Sequence, residues 1–393
     1  MTLTPATKRR LRYAIYLGGF FLNASSALTA YINSSFLNQF APEKFVGIFY
    51  VAASFVSLIS AIALTELVHR YGPRKILAGL SAMVAGLLFT LTLTSSALIS
   101  ILALLAYLVT SYLLAITLDI QLEQLSTHAI TGRIRGIFLT LVNLAWLLSP
   151  LLATYLVGKN GFSSVYLISF AALLPLLIWA TTATKTKNPR HERFTLLKTL
   201  RRISFGKTAK ASALRRILVV DLALNFFYAT MVIYTPIFLN RVLGFDWLTI
   251  GKIFTIMLLP FVLIDFVLGQ IADTTLGEKE LLLIGLGIAG VSTGSLAFLT
   301  TNSAFVWAVM LFATRVGAAT IEMMKESYLF KQIDGGDINT IFLSRATYPL
   351  AYVIAPVLAT AALLVMPLQN LYFGLGLILL AMIPVASKLK DTR

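Results

Sequence analysis

The sequence predicts an all-α membrane protein with twelve transmembrane helices in two pseudo-symmetric six-helix bundles. Its 393 residues are 58% hydrophobic and only 12% charged, whereas about a quarter of the residues in soluble domains are charged. The apolar residues also form runs near 20 long, enough for a helix to cross a hydrocarbon core about 30 Å thick. Such runs must satisfy their own backbone polar groups in lipid, which predicts helices. The third observation is an internal repeat at an offset of 202 to 206 residues.

The predicted spans follow one another with short turns and one long connection. The connection, residues 184–214, separates an N-terminal bundle at 1–183 from a C-terminal bundle at 215–393. The first span is predicted to stay in the mature chain, because its apolar stretch is too long and too polar for a signal peptide. The spans are predicted at 11–38, 45–69, 74–95, 98–125, 134–158, 162–183, 215–241, 246–272, 280–299, 303–332, 338–364 and 369–388.

Lysine and arginine concentrate in alternate connections, and this predicts the orientation of the chain. Basic residues follow the second span, and the central loop has eleven Lys or Arg from Lys185 to Arg216 against one acid, Glu192. Both termini and the central loop are therefore predicted to be cytoplasmic, in a bacterial-type inner membrane. Within the loop, RFTLLKTLRRISF combines apolar residues at helical spacing with basic ones, which favours a helix on the anionic lipid surface. The alternative is basic charge that serves topology alone.

Several classes of protein are excluded by the composition. The net charge of +16 lies in short loops between apolar runs, so it does not indicate nucleic-acid binding. The chain has no cysteine, and its three histidines are far apart, so neither a disulfide framework nor a metal site is predicted. The G-x-x-x-x-G-K-[ST] motif, which binds the phosphates of ATP, does not occur in the sequence. The sequence thus predicts neither an enzyme nor a bound cofactor.

The internal repeat pairs short matches in chain order. SPLLAT at 149–154 corresponds to APVLAT at 355–360, and GIFLT at 136–140 corresponds to TIFLS at 340–344. Six spans in each half give both halves the same orientation, so an axis along the membrane normal would relate them, with a substrate site near the midplane. Six plus six helices, cytoplasmic termini and a basic central loop together resemble the major facilitator superfamily over nearly the whole chain. This resemblance implies a secondary transporter that works by alternating access.

The turn ELVHRYGPRKIL, at 66–77, resembles that family's signature between helices two and three. Arg70 and Gly72 match the signature, and His69 stands where the family has Asp. A second copy follows near residue 269. In the family this turn holds the two halves together on the cytoplasmic side when the transporter faces outward; the alternative is a basic turn that only sets topology. The gate that the resemblance implies comprises His69, Arg70, Gly72, Arg74, Gly269 and Asp273, with Glu123 and Glu326 beside it as partners of the basic turns.

The fifth predicted helix resembles the family's antiporter signature, with small residues in place of most of its glycines. Gly136, Ala145, Ser149 and Pro150 occupy the matching positions. Small residues allow helices to approach closely and Pro150 can bend the helix, so helix packing alone is the alternative explanation. The resemblance implies export.

Polar residues inside the spans are candidate site residues, because charge within a membrane is costly. In the family, helices one, four, seven and ten line the cavity. Stripes at helical spacing there give the substrate-binding candidates Asn23, Ser26, Asn33, Asn225, Tyr228 and Arg315. The candidates for reversible protonation are Asp119, Asp221 and Glu322. Arg315 falls near mid-membrane and needs an acidic partner or an anionic ligand. A static buried network is the alternative for the whole set.

The leading hypothesis from the sequence is proton-coupled export of amphiphilic, drug-like small molecules, which rests on the fifth helix and on aromatic residues of the cavity helices. Uptake or exchange of an anionic metabolite is the second hypothesis, and it rests on Arg315. Transport of lipid or lysolipid is the third. The expected partners are a small-molecule substrate, protons and membrane lipids, and the chain is expected to be a monomer.

Overall fold

The computed structural model describes residues 5–124, 131–182, 196–264, 276–332 and 338–390. The regular structure within these ranges is helical. The chain forms two compact units, one of Met1–Ala41 with Ala52–Glu192 and one of Pro42–Val51 with Arg193–Arg393. The predicted division at residues 184–214 stays a prediction.

In the first unit, helices of transmembrane length alternate with short turns. Helix α1 packs on α6 and α7, and α4 packs on α5 and α7. The helices are α1 (Pro5–Ala30), α2 (Asn33–Leu37), α3 (Glu43–Tyr71, whose residues 43–51 belong to the second unit), α4 (Pro73–Leu93), α5 (Ala97–Gln124), α6 (Thr131–Asn160) and α7 (Phe162–Thr182).

A single residue, Gly72, separates α3 from α4. Its φ of 85° lies in the region that suits glycine, because a Cβ there would meet the backbone. Pro73 then begins α4 at the first helical position, where its fixed φ is already helical and its missing N–H has no helical partner to lose. The turn in the motif is therefore short and stiff.

The second unit contains the linker helix and the C-terminal helices. Helix α9 packs on α13 and α14, and α12 packs on α13 and α15. The helices are α8 (Leu196–Phe205), α9 (Ala209–Ile237, continued by a π-helical turn over Phe238–Val242), α10 (Trp247–Leu258), α11 (Pro260–Leu263), α12 (Glu278–Ser295, followed by a 3-10 turn over Leu296–Phe298), α13 (Ala304–Gln332), α14 (Ile338–Leu363), α15 (Asn370–Ala381) and α16 (Ile383–Ala386).

Nine helices among the described residues are long and apolar enough to cross a membrane. Two shorter apolar stretches, Trp247–Leu263 and Asn370–Ala386, lie where the eighth and twelfth spans are predicted. Helix α1 is 26 residues long but less apolar than the other helices of similar length, because its N-terminal part is basic and polar residues continue along it. The all-helical, multi-pass membrane fold is confirmed, and the count of twelve stays a prediction.

Helices α12 and α13 approach each other through glycine. A Cβ added at Gly317 would lie 2.3 Å from the backbone nitrogen of Ala289. Close approach of this kind is how helices associate in lipid, where apolar surface alone gives no preference for another helix over lipid tails. Gly376 of α15 likewise lies against Gly290 and Gly294, since its added Cβ would be 2.6 Å from the Gly290 oxygen and from the Gly294 nitrogen.

The linker helix α8 packs against α9 and α14. Its Ile203 and Thr199 are buried, whereas Arg201 and Arg202 are exposed and Phe205 is 80% exposed. The exposed side of α8 thus presents two arginines and an aromatic ring, a combination found in helices that lie on an anionic membrane surface.

Candidate functional site

A buried polar cluster joins α9, α13 and α14 of the second unit at Asp221. This carboxylate is 3% exposed and forms an ion pair with Lys325, which is 8% exposed. Its Oδ2 accepts hydrogen bonds from Ser344 at 3.1 Å and from Thr347 at 2.8 Å. Asn225, one helical turn along α9, donates to Asp221 Oδ1 at 3.0 Å. Both carboxylate oxygens are therefore engaged, as a buried charge requires.

A second ion pair lies beside the first. Arg345 of α14 donates to Glu326 through Nη1 at 2.8 Å and through Nη2 at 3.5 Å. Lys325 Nζ lies 3.8 Å from Glu326 Oε1, so the two pairs share one network. Glu326 is thus a partner of the α14 guanidinium.

Tyr228 and Glu322 form a separate pair across α9 and α13. The tyrosine hydroxyl donates to Glu322 Oε2 at 2.6 Å, and both side chains are half-buried. Glu322 precedes Lys325 by three residues, so the two lie on the same side of α13. This carboxyl group is less enclosed than that of Asp221.

Arg315 lies deeper along α13 and is 1% exposed. Its guanidinium carbon is 4.8 Å from the ring centroid of Phe227 and 5.6 Å from that of Tyr228. Neither its Nε nor its Nη1 has a hydrogen-bond partner within the described part of the chain. The aromatic rings offset part of the charge, but these two nitrogens keep unused N–H donors in the guanidinium plane.

In the first unit, the predicted cavity amides have protein partners. Asn23 accepts a hydrogen bond from Trp146 at 3.2 Å, and Asn33 accepts one from Tyr166 at 3.0 Å. Ser26 is half-buried on α1, and Asp119 is half-buried on α5. The first contact connects α1 to α6 and the second connects α2 to α7, so both stabilise the first unit whether or not the amides also bind a ligand.

The predicted cytoplasmic turn is held by backbone acceptors. Arg74 donates from Nε to the Ala180 oxygen at 3.3 Å and from Nη2 to the Thr181 oxygen at 2.9 Å, which fastens the start of α4 to the end of α7. Arg70 lies over the ring of Tyr71 at 5.3 Å. The side chains of His69 and Glu123, together with Gly269 and Asp273, lie outside the described residues.

The small-residue pattern lies on α6, which contains Gly136 and continues through Pro150. Ala145 and Ser149 are buried, at 1% and 4% exposure. Ser149 Oγ donates to the Ala145 oxygen at 2.6 Å, and Thr154 donates to the Pro150 oxygen at 2.7 Å. Both hydroxyls are thus satisfied by backbone carbonyls of their own helix, one turn back.

The predicted candidates therefore separate by unit. Asp221, Asn225, Tyr228, Arg315, Glu322 and Glu326 all lie along α9 and α13 of the second unit. The sequence did not single out Lys325, Ser344 and Thr347. Lys325 could have been found from its spacing after Glu322, and the other two from their separation of three residues on the next helix. No group of three or more His, Cys, Asp or Glu that could hold a metal occurs in the described ranges.

The family model for the Major Facilitator Superfamily matches residues 8–324, a range that includes Asp221, Arg315 and Glu322. No curated protein matches the chain.

Proposed function

Since the chain belongs to the major facilitator superfamily, it is a membrane-embedded secondary transporter of small molecules, and we propose that it carries an organic anion together with protons. The family consists of transporters and not of enzymes, so the charged cluster is assigned to binding and coupling. Two separate features of the second unit support the proposal.

The proposal that the substrate is an anion depends on the environment of Arg315. A guanidinium at 1% exposure is costly inside a membrane unless an acid or a ligand compensates it. Two of its nitrogens have no acceptor among the residues that the structure describes. The other buried cation of the cluster, Lys325, already pairs with Asp221. Arg315 is thus the cation with donors to spare for a substrate.

The proton is assigned to Glu322. Tyr228 touches both functional groups: its ring is 5.6 Å from the Arg315 guanidinium carbon, and its hydroxyl donates to Glu322 at 2.6 Å. A change at either group would therefore reach the other through one side chain. Asp221, with donors on both oxygens, is better suited to hold α9, α13 and α14 together. Asp119 of the first unit is the second candidate for the proton.

Export of amphiphilic compounds is the second candidate function. The buried small residues of α6, with Pro150 inside the helix, support it because they fit the antiporter signature that the sequence resembles. The two candidates differ in what Arg315 does. A carrier of organic anions needs the guanidinium, whereas an exporter of lipophilic cations does not.

The test is uptake into proteoliposomes under an inward proton gradient. Three labelled aromatic anions serve as probes: 3-phenyllactate, phenyl phosphate and benzenesulfonate, each corrected for entry into protein-free liposomes. We expect gradient-driven uptake of at least one, and a protonophore should cancel it. Arg315→Gln should abolish uptake. Glu322→Gln should lose the gradient-driven part and keep anion exchange, because exchange needs no net proton movement.

Asp246→Asn is the matched control, since Asp246 is an exposed carboxylate before α10 whose side chain makes no capping bond. It should transport like the wild type. Full uptake by Arg315→Gln would contradict anion binding by Arg315. Gradient-driven uptake by Glu322→Gln would contradict the assignment of Glu322 as the proton site. If no anion enters while cells expressing the chain expel a lipophilic cationic dye, the export candidate replaces this one.

A further inference from the structure

The unused donors of Arg315 also restrict the kind of anion. Phe227 is fully buried and Tyr228 half-buried, and both rings lie close to the guanidinium carbon. Aromatic rings attract a cation through their faces but accept no ordinary N–H hydrogen bond. Nε and Nη1 therefore need an acceptor that comes from elsewhere than the described protein groups.

The neighbouring charges limit how much negative charge the ligand can have. Lys325 pairs with Asp221 and Arg345 pairs with Glu326, which leaves neither cation available to a ligand. Glu322 is the next acid along α13, seven residues after Arg315, or about 10 Å. Among the described residues, a ligand at Arg315 thus meets one positive charge without an acidic partner, and a second negative charge on the ligand would find no further cation there to compensate it.

The shape of the donor group favours a flat acceptor. A guanidinium presents N–H groups in one plane, and these match the two oxygens of a carboxylate in a bidentate contact. The flanking aromatic rings supply apolar contact surface beside that contact. Hydrophilic acids would leave the rings in contact with polar groups, which gives no gain from burial.

We propose that Arg315 binds the carboxylate of an amphiphilic monocarboxylic acid, whose apolar body packs beside the rings of Phe227 and Tyr228. The inference rests on the proposed transport of organic anions and names the class of anion. It separates the substrate from phosphate esters and dicarboxylates, which carry more negative charge than one guanidinium balances.

The test is equilibrium binding by calorimetry with the purified full chain in lipid nanodiscs. The probes are 3-phenylpropionate, its neutral amide, acetate and phenyl phosphate. On the wild type we expect 3-phenylpropionate to bind at least roughly tenfold more tightly than each of the other three. The hydrogen bond to a charged group separates it from the amide, burial of the phenyl group separates it from acetate, and the second negative charge disfavours phenyl phosphate. The acid and its amide are compared on one folded protein, so this part does not depend on any variant.

Arg315→Gln should reduce binding of the acid to that of the amide, and Arg315→Lys should give an intermediate loss because it keeps the charge without the planar fork. The control is Arg241→Gln, an exposed arginine at the end of the π-helical turn, which should bind like the wild type. Tighter binding of phenyl phosphate would overturn the monocarboxylate class and leave anion transport standing. Equal binding of the acid and its amide, or unchanged binding of the acid by Arg315→Gln, would overturn both the monocarboxylate class and the proposed anion transport.

Discussion

At the scale of single residues, the Lys325–Asp221 pair is the strongest constraint in the cluster. Both side chains are more than nine-tenths buried, and Asp221 also accepts hydrogen bonds from three neutral donors. Removing one partner of such a pair leaves a buried charge without compensation, whereas removing both charges does not.

We expect Lys325→Met to lower the free energy of unfolding by roughly 3–5 kcal/mol. The double variant that adds Asp221→Asn should recover part of this loss, because no uncompensated charge is left. Thermal unfolding of the purified chain in detergent measures both. Lys252→Met, at an exposed lysine of α10, is the control. Equal unfolding temperatures for the single and double variants would contradict the expected coupling.

The Tyr228 hydroxyl gives a second prediction at this scale. Tyr228→Phe keeps the ring beside Arg315 and removes only the donor to Glu322, which contributes about 1.5–3 kcal/mol when the acceptor is charged. Proton-driven uptake should slow at least several-fold while anion binding persists. Tyr155→Phe, an exposed tyrosine of α6, provides the comparison. Loss of binding together with uptake would assign the hydroxyl to the ligand and not to coupling.

At the scale of helices, the contact between α12 and α13 has no room for a side chain. A methyl group at Gly317 would meet the Ala289 backbone at 2.3 Å, and backbone atoms cannot turn aside as a flexible side chain can. Overpacking of this kind costs about 1–3 kcal/mol, occasionally more.

Gly317→Ala should therefore lower the thermal stability of the chain in detergent. Gly287→Ala in α12 is the matched control, because a Cβ there meets no heavy atom within 4 Å. It should leave stability unchanged or raise it slightly through better helix propensity. If both variants unfold at the wild-type temperature, the two helices are not in contact at Gly317.

At the scale of the whole molecule, the basic loops predict an orientation that can be measured directly. By the positive-inside rule, the eleven Lys or Arg from Lys185 to Arg216 predict that the central loop, and with it the C-terminus, is cytoplasmic. A green fluorescent protein fused after Arg393 should fluoresce, and an alkaline phosphatase fused there should be inactive. The opposite pair of results would place the C-terminus outside.

The sequence reveals the helical membrane fold and the family because apolar length and repeated motifs are local properties of the chain. It also makes Arg315, Glu322 and Tyr228 candidate site residues, since a polar residue within an apolar run stands out without any structure. Helical spacing indicates which residues share a face but not the rotation of that face toward its neighbours. The structure was therefore needed to find that Asn23 contacts Trp146 and that Asn33 contacts Tyr166. It was also needed to find that Asp221 and Lys325, 104 residues apart, pair.

The close fit of α13 against α12 also bears on how a binding event could be transmitted. Gly317 is two residues from Arg315, so the guanidinium is carried by the part of α13 that backbone contact prevents from sliding. Helix α9 meets α13 through side chains instead: the rings of Phe227 and Tyr228 lie beside Arg315, and the buried Asp221 pairs with Lys325 farther along. We therefore expect α13 to act as the stationary wall of the binding site, with the half-buried Tyr228 as the side chain of α9 that shifts first when a ligand binds Arg315.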